Sequence, residues 1–182
     1  MTLLELEAFA AAPYEDKLHE VKGPIAWSQR CFKGEVLCDI AALANSGGGV
    51  VLIGRDSPRF RNGSLSLAEQ GAYDVSNVGT DIRNHISTTL RIVVHPVRLG
   101  TDLVVAVDVG PSLRAPAIML QAFNCGPHGP IPHFNAGDVY IRTDAAQTRR
   151  LSSFPEIEDL FNRIVDYRVT EEILRIKTLG LF

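Results

Sequence analysis

The chain has 182 residues, 46% of them apolar, and a formal net charge of −3. This length suits one domain with a sizeable core and is short for two ordinary ones, so we expect a single domain over residues 1–182. The negative charge argues against an indiscriminate nucleic-acid binder, which normally carries a basic surplus. Residues 15–151 are closer to balance, with 14 Lys or Arg against 13 Asp or Glu.

No stretch approaches the roughly 18 consecutive apolar residues of a membrane span, and the N-terminus carries acidic residues where a signal peptide starts with basic ones. The sequence therefore predicts a cytoplasmic protein with no membrane partner. Cys31, Cys38 and Cys125 are odd in number and lack CxxC spacing. That pattern predicts reduced thiols and argues against a disulfide framework.

The first half of the chain predicts, in order, a helix, a strand, a second helix and a second strand. These elements are residues 1–12, 18–22, 36–45 and 50–53. A capping box of Thr2 and Glu5 opens the first helix, and alternation in the first strand puts Glu20 and Lys22 on one face. The second strand is a short apolar run, which indicates a buried strand that delivers Asp56 to its carboxyl end.

The second half predicts a polar loop, a helix, a β-hairpin, another loop, a strand and a final helix. They occupy residues 57–73, 75–90, 92–109, 121–135, 138–142 and the segment from 153 onward. The hairpin consists of two alternating runs that turn at Gly100 and Thr101. A second capping box, Ser153 with Glu156, opens the final helix, whose apolar face loosens beyond Asp166.

This order of elements predicts an α/β fold of the α+β kind, in which helices flank one mixed, partly antiparallel sheet. Within the single domain, residues 13–160 form the expected core. Residues 1–12 add an N-terminal helix, and residues 161–182 add a C-terminal helical extension.

Three carboxylates, Glu15, Glu20 and Asp56, each stand at the end of a different local element. Hard oxygen ligands of this kind hold Mg²⁺ or Mn²⁺, and Lys22 could neutralise charge that develops on a phosphate. Five-residue spacing puts Glu15 and Glu20 on one face of neither helix nor strand, so their convergence requires a bend near Asp16. The alternative is that Glu20 and Lys22 form an ordinary charge pair and Asp56 accepts hydrogen bonds in a turn.

Arginines close to these acids are the candidate phosphate contacts. Arg55, Arg59 and Arg61 surround Phe60, which could stack on a base, and Arg142 ends the last predicted strand. The same residues also fit a solvated loop with Phe60 packed inward, and an Arg142 paired with the acidic final helix.

Cys125, His128 and His133 lie close together in the loop before the last strand. Thiolate and imidazole groups bind zinc, but the spacing Cys-x₂-His-x₄-His lacks a fourth ligand unless Cys31 or Cys38 joins. The sequence therefore does not predict zinc at this set.

The motif that links these acids begins with Glu15, followed by the strand Glu20-Val21-Lys22. A helix ending in Ala41 to Gly49, AALANSGGG, follows, and then a strand ending in Ile53-Gly54 with Asp56 two residues later. This pattern resembles the Schlafen-type Alba-like domain family, whose usual strand is Glu-Phe-Lys, so Val21 replaces a Phe. The resemblance continues more weakly to Arg142 and covers roughly residues 13–160.

The resemblance implies an Alba-like fold and one of two activities. Family members are metal-dependent ribonucleases that act on structured RNA such as transfer RNA, or nucleic-acid-binding and regulatory modules with no known cleavage. We therefore predict an endoribonuclease with Glu15, Glu20 and Asp56 as ligands of Mg²⁺ or Mn²⁺ and with Lys22 near the reacting phosphate. The alternatives are a non-catalytic nucleic-acid-binding or transcription-regulatory module, and a protein-interaction domain.

The larger members of the family look like two Alba-like lobes that enclose a groove, whereas this chain has the length for one. That comparison predicts a homodimer. The apolar residues Ile173, Leu174 and Ile176, beyond the family-like region, are the candidate contact.

Overall fold

The computed structural model describes residues 2–55, 64–125 and 133–179. A mixed sheet of four strands carries helices on both faces, which confirms the predicted fold class. The helices are α1 (Leu3–Ala11), α2 (Arg30–Asn45), α3 (Leu67–Ala72), α4 (Val75–His85) and α5 (Phe154–Thr178). The strands are β1 (His19–Lys22), β2 (Gly49–Ile53), β3 (Ile92–Leu99), β4 (Asp102–Val109), β5 (Tyr140–Arg142) and β6 (Thr148–Arg150).

The sheet has the strand order β1-β2-β4-β3, and β1 lies at one edge. β1 runs parallel to β2 with Glu20 beside Val51, while β4 runs antiparallel to both β2 and β3. β5 and β6 form a separate two-stranded ribbon. The pairing of β3 with β4 confirms the predicted hairpin.

Alternation along the strands builds a core on each face of the sheet. Val51 and Ile53 of β2 pack with α2 and α4, and Val50 and Leu52 pack with α1 on the other face. Burial of both faces explains why β2 is apolar at every position. Side-by-side partners in a sheet share a face, so Glu20, the partner of Val51, projects toward α2 at the sheet edge.

The turn from α2 into β2 ties three parts of the fold together. The Gly48 amide donates to the Leu43 carbonyl at 2.8 Å and closes the end of α2. Gly49 has a φ of +156°, and a Cβ there would collide with the Leu18 carbonyl just before β1. The buried Asn45 side chain bonds both Ala117 and the Tyr140 carbonyl, so it fixes β5 beside α2.

Two short elements lie in segments that the sequence predicted as irregular. α3 falls within the predicted loop 57–73, and its start is a capping box of Ser66 and Glu69 that the prediction overlooked. β6 lies between the predicted last strand and final helix and pairs with β5. α4 is shorter than predicted, because Ile86 is extended and bridges Met119.

The final helix also differs from its prediction. It runs without a break to Thr178, and its Ser153 side chain makes no capping hydrogen bond. The predicted capping box is therefore wrong, and Glu156 instead forms an ion pair with Arg149 of β6. Only Leu160 and Ile164 of α5 are buried. Across the described ranges, no helix combines the length and apolarity that crossing a bilayer requires.

Candidate functional site

A cleft of about 520 Å³ opens between β1, α2 and the β5–β6 ribbon. Its charged and polar lining includes Glu15, Glu20, Lys22, Glu35, Asp39, Arg142 and Thr148. Two of the three predicted acids and the predicted lysine therefore share one cleft. The third acid, Asp56, lies outside the described residues, so its convergence with Glu20 stays a prediction.

A turn at Asp16 brings Glu15 and Glu20 to the same cleft. The Asp16 carboxylate accepts hydrogen bonds from the amides of Leu18 at 2.7 Å and His19 at 2.8 Å, a side-chain-stabilised turn typical of Asp. The predicted bend is confirmed. Glu15 is exposed before the turn, whereas Glu20 is buried within β1.

The Glu20 carboxylate is held between two cations. Its Oε1 lies 2.8 Å from Lys22 Nζ, and its Oε2 forms an ion pair with the guanidinium of Arg142. Arg142 also donates to the backbone carbonyls of Asp16 at 2.8 Å and His19 at 3.0 Å. Both ends of the turn before β1 are thus fastened to the residue that holds Glu20.

Arg142 is 3% exposed. The sequence predicted this arginine as a contact to nucleic acid, but the structure buries it in the wall of the cleft. Its two terminal nitrogens donate to Glu20 and to two backbone carbonyls there. It acts on the cleft by positioning Glu20. A buried, bidentate-capable guanidinium suits that role better than the flexible ammonium of a lysine.

Asp39 of α2 is a cleft residue that the sequence analysis missed. It is 3% exposed, lies 3.0 Å from Lys22 Nζ and accepts a hydrogen bond of 2.5 Å from the Thr148 hydroxyl. Burial raises the pKa of Asp39 to about 6, because desolvation and the nearby Glu20 outweigh Lys22 and Thr148. A single acid in the apolar run of residues 36–44 was the signal that could have revealed it.

Lys22 carries a fixed positive charge at the cleft. Burial alone would lower the pKa of Lys22, but the carboxylates of Asp39 and Glu20 outweigh burial and raise it above its usual value. Its side chain keeps 21% of its surface exposed. The ammonium is therefore protonated at neutral pH and reaches the open side of the cleft.

The predicted basic strip is only partly described. Arg55 lies at the end of β2, where it pairs with Asp102 at 3.1 Å and keeps 14% of its side chain exposed. It is separate from the residues that line the cleft. Arg59 and Arg61 lie outside the described residues, and so does His128. Their predicted roles stay predictions.

A second group of potential ligands lies at the start of α2. Cys31, Cys125 and His133 each offer one ligand atom, and these atoms all lie within 4.8 Å of one another. Two of the three belong to the loop set that the sequence singled out, and Cys31 joins them from the helix. All three cysteines are free thiols, as predicted.

A larger groove of about 750 Å³ lies under α1 beside the glycine turn and is mostly apolar. Its acidic lining residues are Glu5 and Asp108, and Asp108 has the guanidinium of Arg91 at 3.3 Å. None of the predicted acids lines this groove. The smaller cleft at Glu20 is therefore the candidate site.

A family model described as Schlafen, AlbA_2 matches residues 15–152, which is most of the chain and includes every described residue of the cleft. The chain belongs to the Schlafen AlbA_2 family. Its resemblance to that family is thereby confirmed, and membership assigns it to a nucleic-acid-related class of domains. No relative was found among curated protein sequences.

Two solved structures are similar to this Schlafen AlbA_2 chain. The DIP2311 protein from Corynebacterium diphtheriae shares the fold, with a TM-score of 0.54 and 12% identity over 82% of this chain. This chain spans 26% of the length of that protein. The N-terminal domain of a RecG-related protein from Nitrosomonas europaea has a TM-score of 0.43 and 18% identity, with 68% of this chain and 83% of that one covered.

The Schlafen AlbA_2 cleft fits a hard divalent ion in its donor chemistry. The carboxylates of Glu15 and Glu20 line one open cavity, and oxygen donors are what Mg²⁺ and Mn²⁺ select. The structure adds a condition, because both Glu20 oxygens already contact cations. An ion that binds Glu20 must share the carboxylate oxygens with Lys22 and Arg142 or displace one of them.

Proposed function

We propose that this chain is a metal-dependent endoribonuclease that binds structured RNA, such as transfer RNA, in the Glu20 cleft. One observation carries the proposal. The carboxylate of Glu15, from before the Asp16 turn, converges on one open cavity with the Glu20 carboxylate and the protonated Lys22 of β1. Glu15 and Glu20 would hold the ion, with Asp56 as the third ligand implied by the family motif.

The chain's own residues define what the cleft does to a bound phosphodiester. Lys22 binds a phosphate oxygen and offsets the charge that grows on it during cleavage. Arg142 holds Glu20 in place, and Asp39 keeps Lys22 protonated. A divalent ion at Glu15 and Glu20 would supply an activated water and further charge neutralisation.

The direct test is incubation of the purified chain with transfer RNA in Mn²⁺, in Mg²⁺ and in a chelator. We expect discrete fragments with a divalent ion and intact RNA in the chelator. A parallel incubation uses ribosomal RNA as a second structured substrate. If both RNAs stay intact under all three conditions, the proposal is refuted.

Ion binding should also appear as thermal stabilisation. We expect Mn²⁺ to raise the melting temperature of the wild type, because a ligand that binds only the folded state stabilises it by about 2.7 kcal/mol at 100 times its dissociation constant. Glu15→Gln and Glu20→Gln should lose this increment. Glu158→Gln, an exposed acid of α5, should keep it as the matched control. An equal increment in all four proteins would place the ion elsewhere.

A non-catalytic nucleic-acid-binding module is the second candidate. The observation that favours it is the pairing of the cleft charges, since Glu20 and Asp39 already contact Lys22, Arg142 and Thr148. In that case, RNA or DNA binds without being cut. Gel-shift binding with no cleavage in any divalent ion would support this candidate over the nuclease.

We also propose a homodimer, and α5 carries the observation. Phe161, Val165, Val169 and Ile173 repeat at four-residue spacing and are 43–53% exposed, which forms an apolar stripe on the side away from Leu160 and Ile164. Leu174, from the predicted contact, is 58% exposed.

The dimer prediction can be tested by light scattering. The wild type should scatter as a dimer at micromolar concentration, and Val165→Glu/Val169→Glu should be a monomer because two charges enter an apolar contact. Arg163→Glu, an exposed position of the same helix outside the stripe, should stay dimeric. A monomeric wild type would contradict the prediction.

The cytoplasmic location expected from the sequence also stays a prediction.

A further inference from the structure

A second cluster of chemically active side chains lies beside the cleft and takes no part in the proposed function. Cys31 comes from the first turn of α2, Cys125 from the loop after β4 and His133 from the approach to β5. Their ligand atoms lie within 4.8 Å of one another. Two thiols and an imidazole thus meet from three separate parts of the chain.

Backbone pairing holds the two loop residues together. The Phe123 amide donates to the Phe134 carbonyl at 2.9 Å, and the His133 amide donates to the Phe123 carbonyl at 2.8 Å. The rings of Phe123 and Phe134 stack with centroids 5.3 Å apart. Cys125 follows Phe123 by two residues and His133 directly precedes Phe134, so this backbone pairing brings the two ligands close together.

Gly34 lets this bridge approach α2. A Cβ at Gly34 would lie 2.6 Å from Cδ2 of His133 and 3.0 Å from the Phe123 ring, which is closer than side chains allow. Only a glycine permits the His133 ring to lie directly on the helix backbone. The imidazole is thus placed within reach of Cys31, three residues earlier on α2.

The hydrogen bonding of the cluster is incomplete. Nε2 of His133 is buried and has no hydrogen-bond partner within residues 2–55, 64–125 and 133–179. Cys31 donates a weak S–H bond of 3.4 Å to the Cys125 carbonyl. Buried polar atoms normally have a partner, so an orphaned imidazole nitrogen next to two thiols needs a ligand to explain it.

We propose that Cys31, Cys125 and His133 bind a zinc ion, with the fourth position left to a water or another exogenous ligand. Zinc prefers this donor set, with Zn–S near 2.3 Å and Zn–N near 2.0–2.1 Å, whereas thiolates are poor ligands for Mg²⁺ or Mn²⁺. Tetrahedral coordination puts ligand atoms roughly 3.5–3.8 Å apart. Because the three ligand atoms lie within 4.8 Å of one another, the side chains need to move together by at most about 1 Å to bind the ion.

The ion would fasten the first turn of α2 to the segment that precedes β5. Both segments contribute to the lining of the Glu20 cleft. Glu35 comes from α2, and His133 and Tyr140 come from the chain at and before β5. The zinc therefore fixes the width of the cleft on the side away from β1. This role is independent of whether the cleft cleaves RNA.

The test uses the full chain, purified under reducing conditions. Metal analysis should find zinc bound at one ion per chain, and cobalt substitution should give the near-ultraviolet band of sulfur-to-cobalt charge transfer. Competition with a chromophoric chelator then measures zinc affinity. Cys31→Ser, Cys125→Ser and His133→Gln should each lose more than the roughly 10- to 100-fold in affinity that removal of an outer-shell partner causes.

Two further variants sharpen the test. Cys38→Ala removes the remaining thiol, which is buried outside the cluster, and should bind zinc like the wild type. Gly34→Ala keeps all three ligands and should weaken binding because the new methyl displaces His133. Circular dichroism checks that each variant is folded, so a loss of metal is not a loss of structure.

Three results would overturn the assignment. One is a wild type whose zinc affinity equals that of the Cys31→Ser/Cys125→Ser/His133→Gln protein. Another is a cobalt complex without the sulfur band. The third concerns the chain purified without reductant. If its mass is lower by two hydrogens, a disulfide links Cys31 and Cys125, and the reduced chain binds no zinc, the two cysteines are a redox pair.

Discussion

Arg142→Met should lower the free energy of unfolding by about 3–5 kcal/mol, the usual effect of removing one partner of a buried ion pair. The substitution leaves Glu20 buried without its guanidinium. It also removes the donors to the carbonyls of Asp16 and His19. Urea denaturation, followed by circular dichroism, measures the change.

Arg150→Met is the matched control on the neighbouring strand. Its ion pair with Asp138 spans 3.2 Å but the arginine side chain is 59% exposed, so we expect a loss below about 1 kcal/mol. Equal losses in the two variants would show that Arg142 is not a structural support. The double variant Glu20→Gln/Arg142→Met should lose less than the sum of the two single changes, because the pair is broken once.

Glu20→Gln should slow RNA cleavage at least about 100-fold, because an amide removes the charge that a divalent ion needs and such ions contribute several kcal/mol to the barrier. Single-turnover cleavage of transfer RNA in Mn²⁺ measures the effect. Glu15→Gln should be milder, since Glu15 is exposed and can bind an ion through water. From sequence alone, Glu20→Gln would be expected to spare folding. The contact with Arg142 changes that expectation, so the assay belongs at a temperature where the variant is folded.

Arg142→Met serves as the control for the cleavage assay. It breaks the same ion pair but keeps the Glu20 carboxylate, so it should retain more cleavage than Glu20→Gln. Equal rates in the two variants would show that loss of the ion pair accounts for the whole effect, and the assay would then give no support to Glu20 as an ion ligand. RNA binding, measured by gel shift, should persist in both.

The sequence predicted the parts of the fold that follow from short-range periodicity. Period-two alternation placed Glu20 and Lys22 on one face, and the uniformly apolar β2 indicated a strand buried on both sides. The glutamate spacing required a bend, and Asp16 supplies it. Each of these inferences depends on neighbours within a few residues, which is the range over which local sequence determines conformation.

The charge network of the cleft could not be predicted in the same way. Arg142 and Glu20 are 122 residues apart in the chain, and Thr148 and Asp39 are 109 apart. Their contacts depend on the position at which Asn45 fixes β5 against α2. That position is a feature of the tertiary structure. Arg142 was therefore assigned to the surface by its charge, although the fold buries it.

The inner four charges of the cleft, Glu20, Asp39, Lys22 and Arg142, cancel when all are ionised. Glu15 and Glu35 add two negative charges to the cleft, so a phosphodiester meets net repulsion there unless a divalent cation offsets those charges. Each therefore binds better when the other is present. Thermodynamic linkage makes that help reciprocal, so the factor by which Mn²⁺ tightens RNA binding must equal the factor by which RNA tightens Mn²⁺ binding.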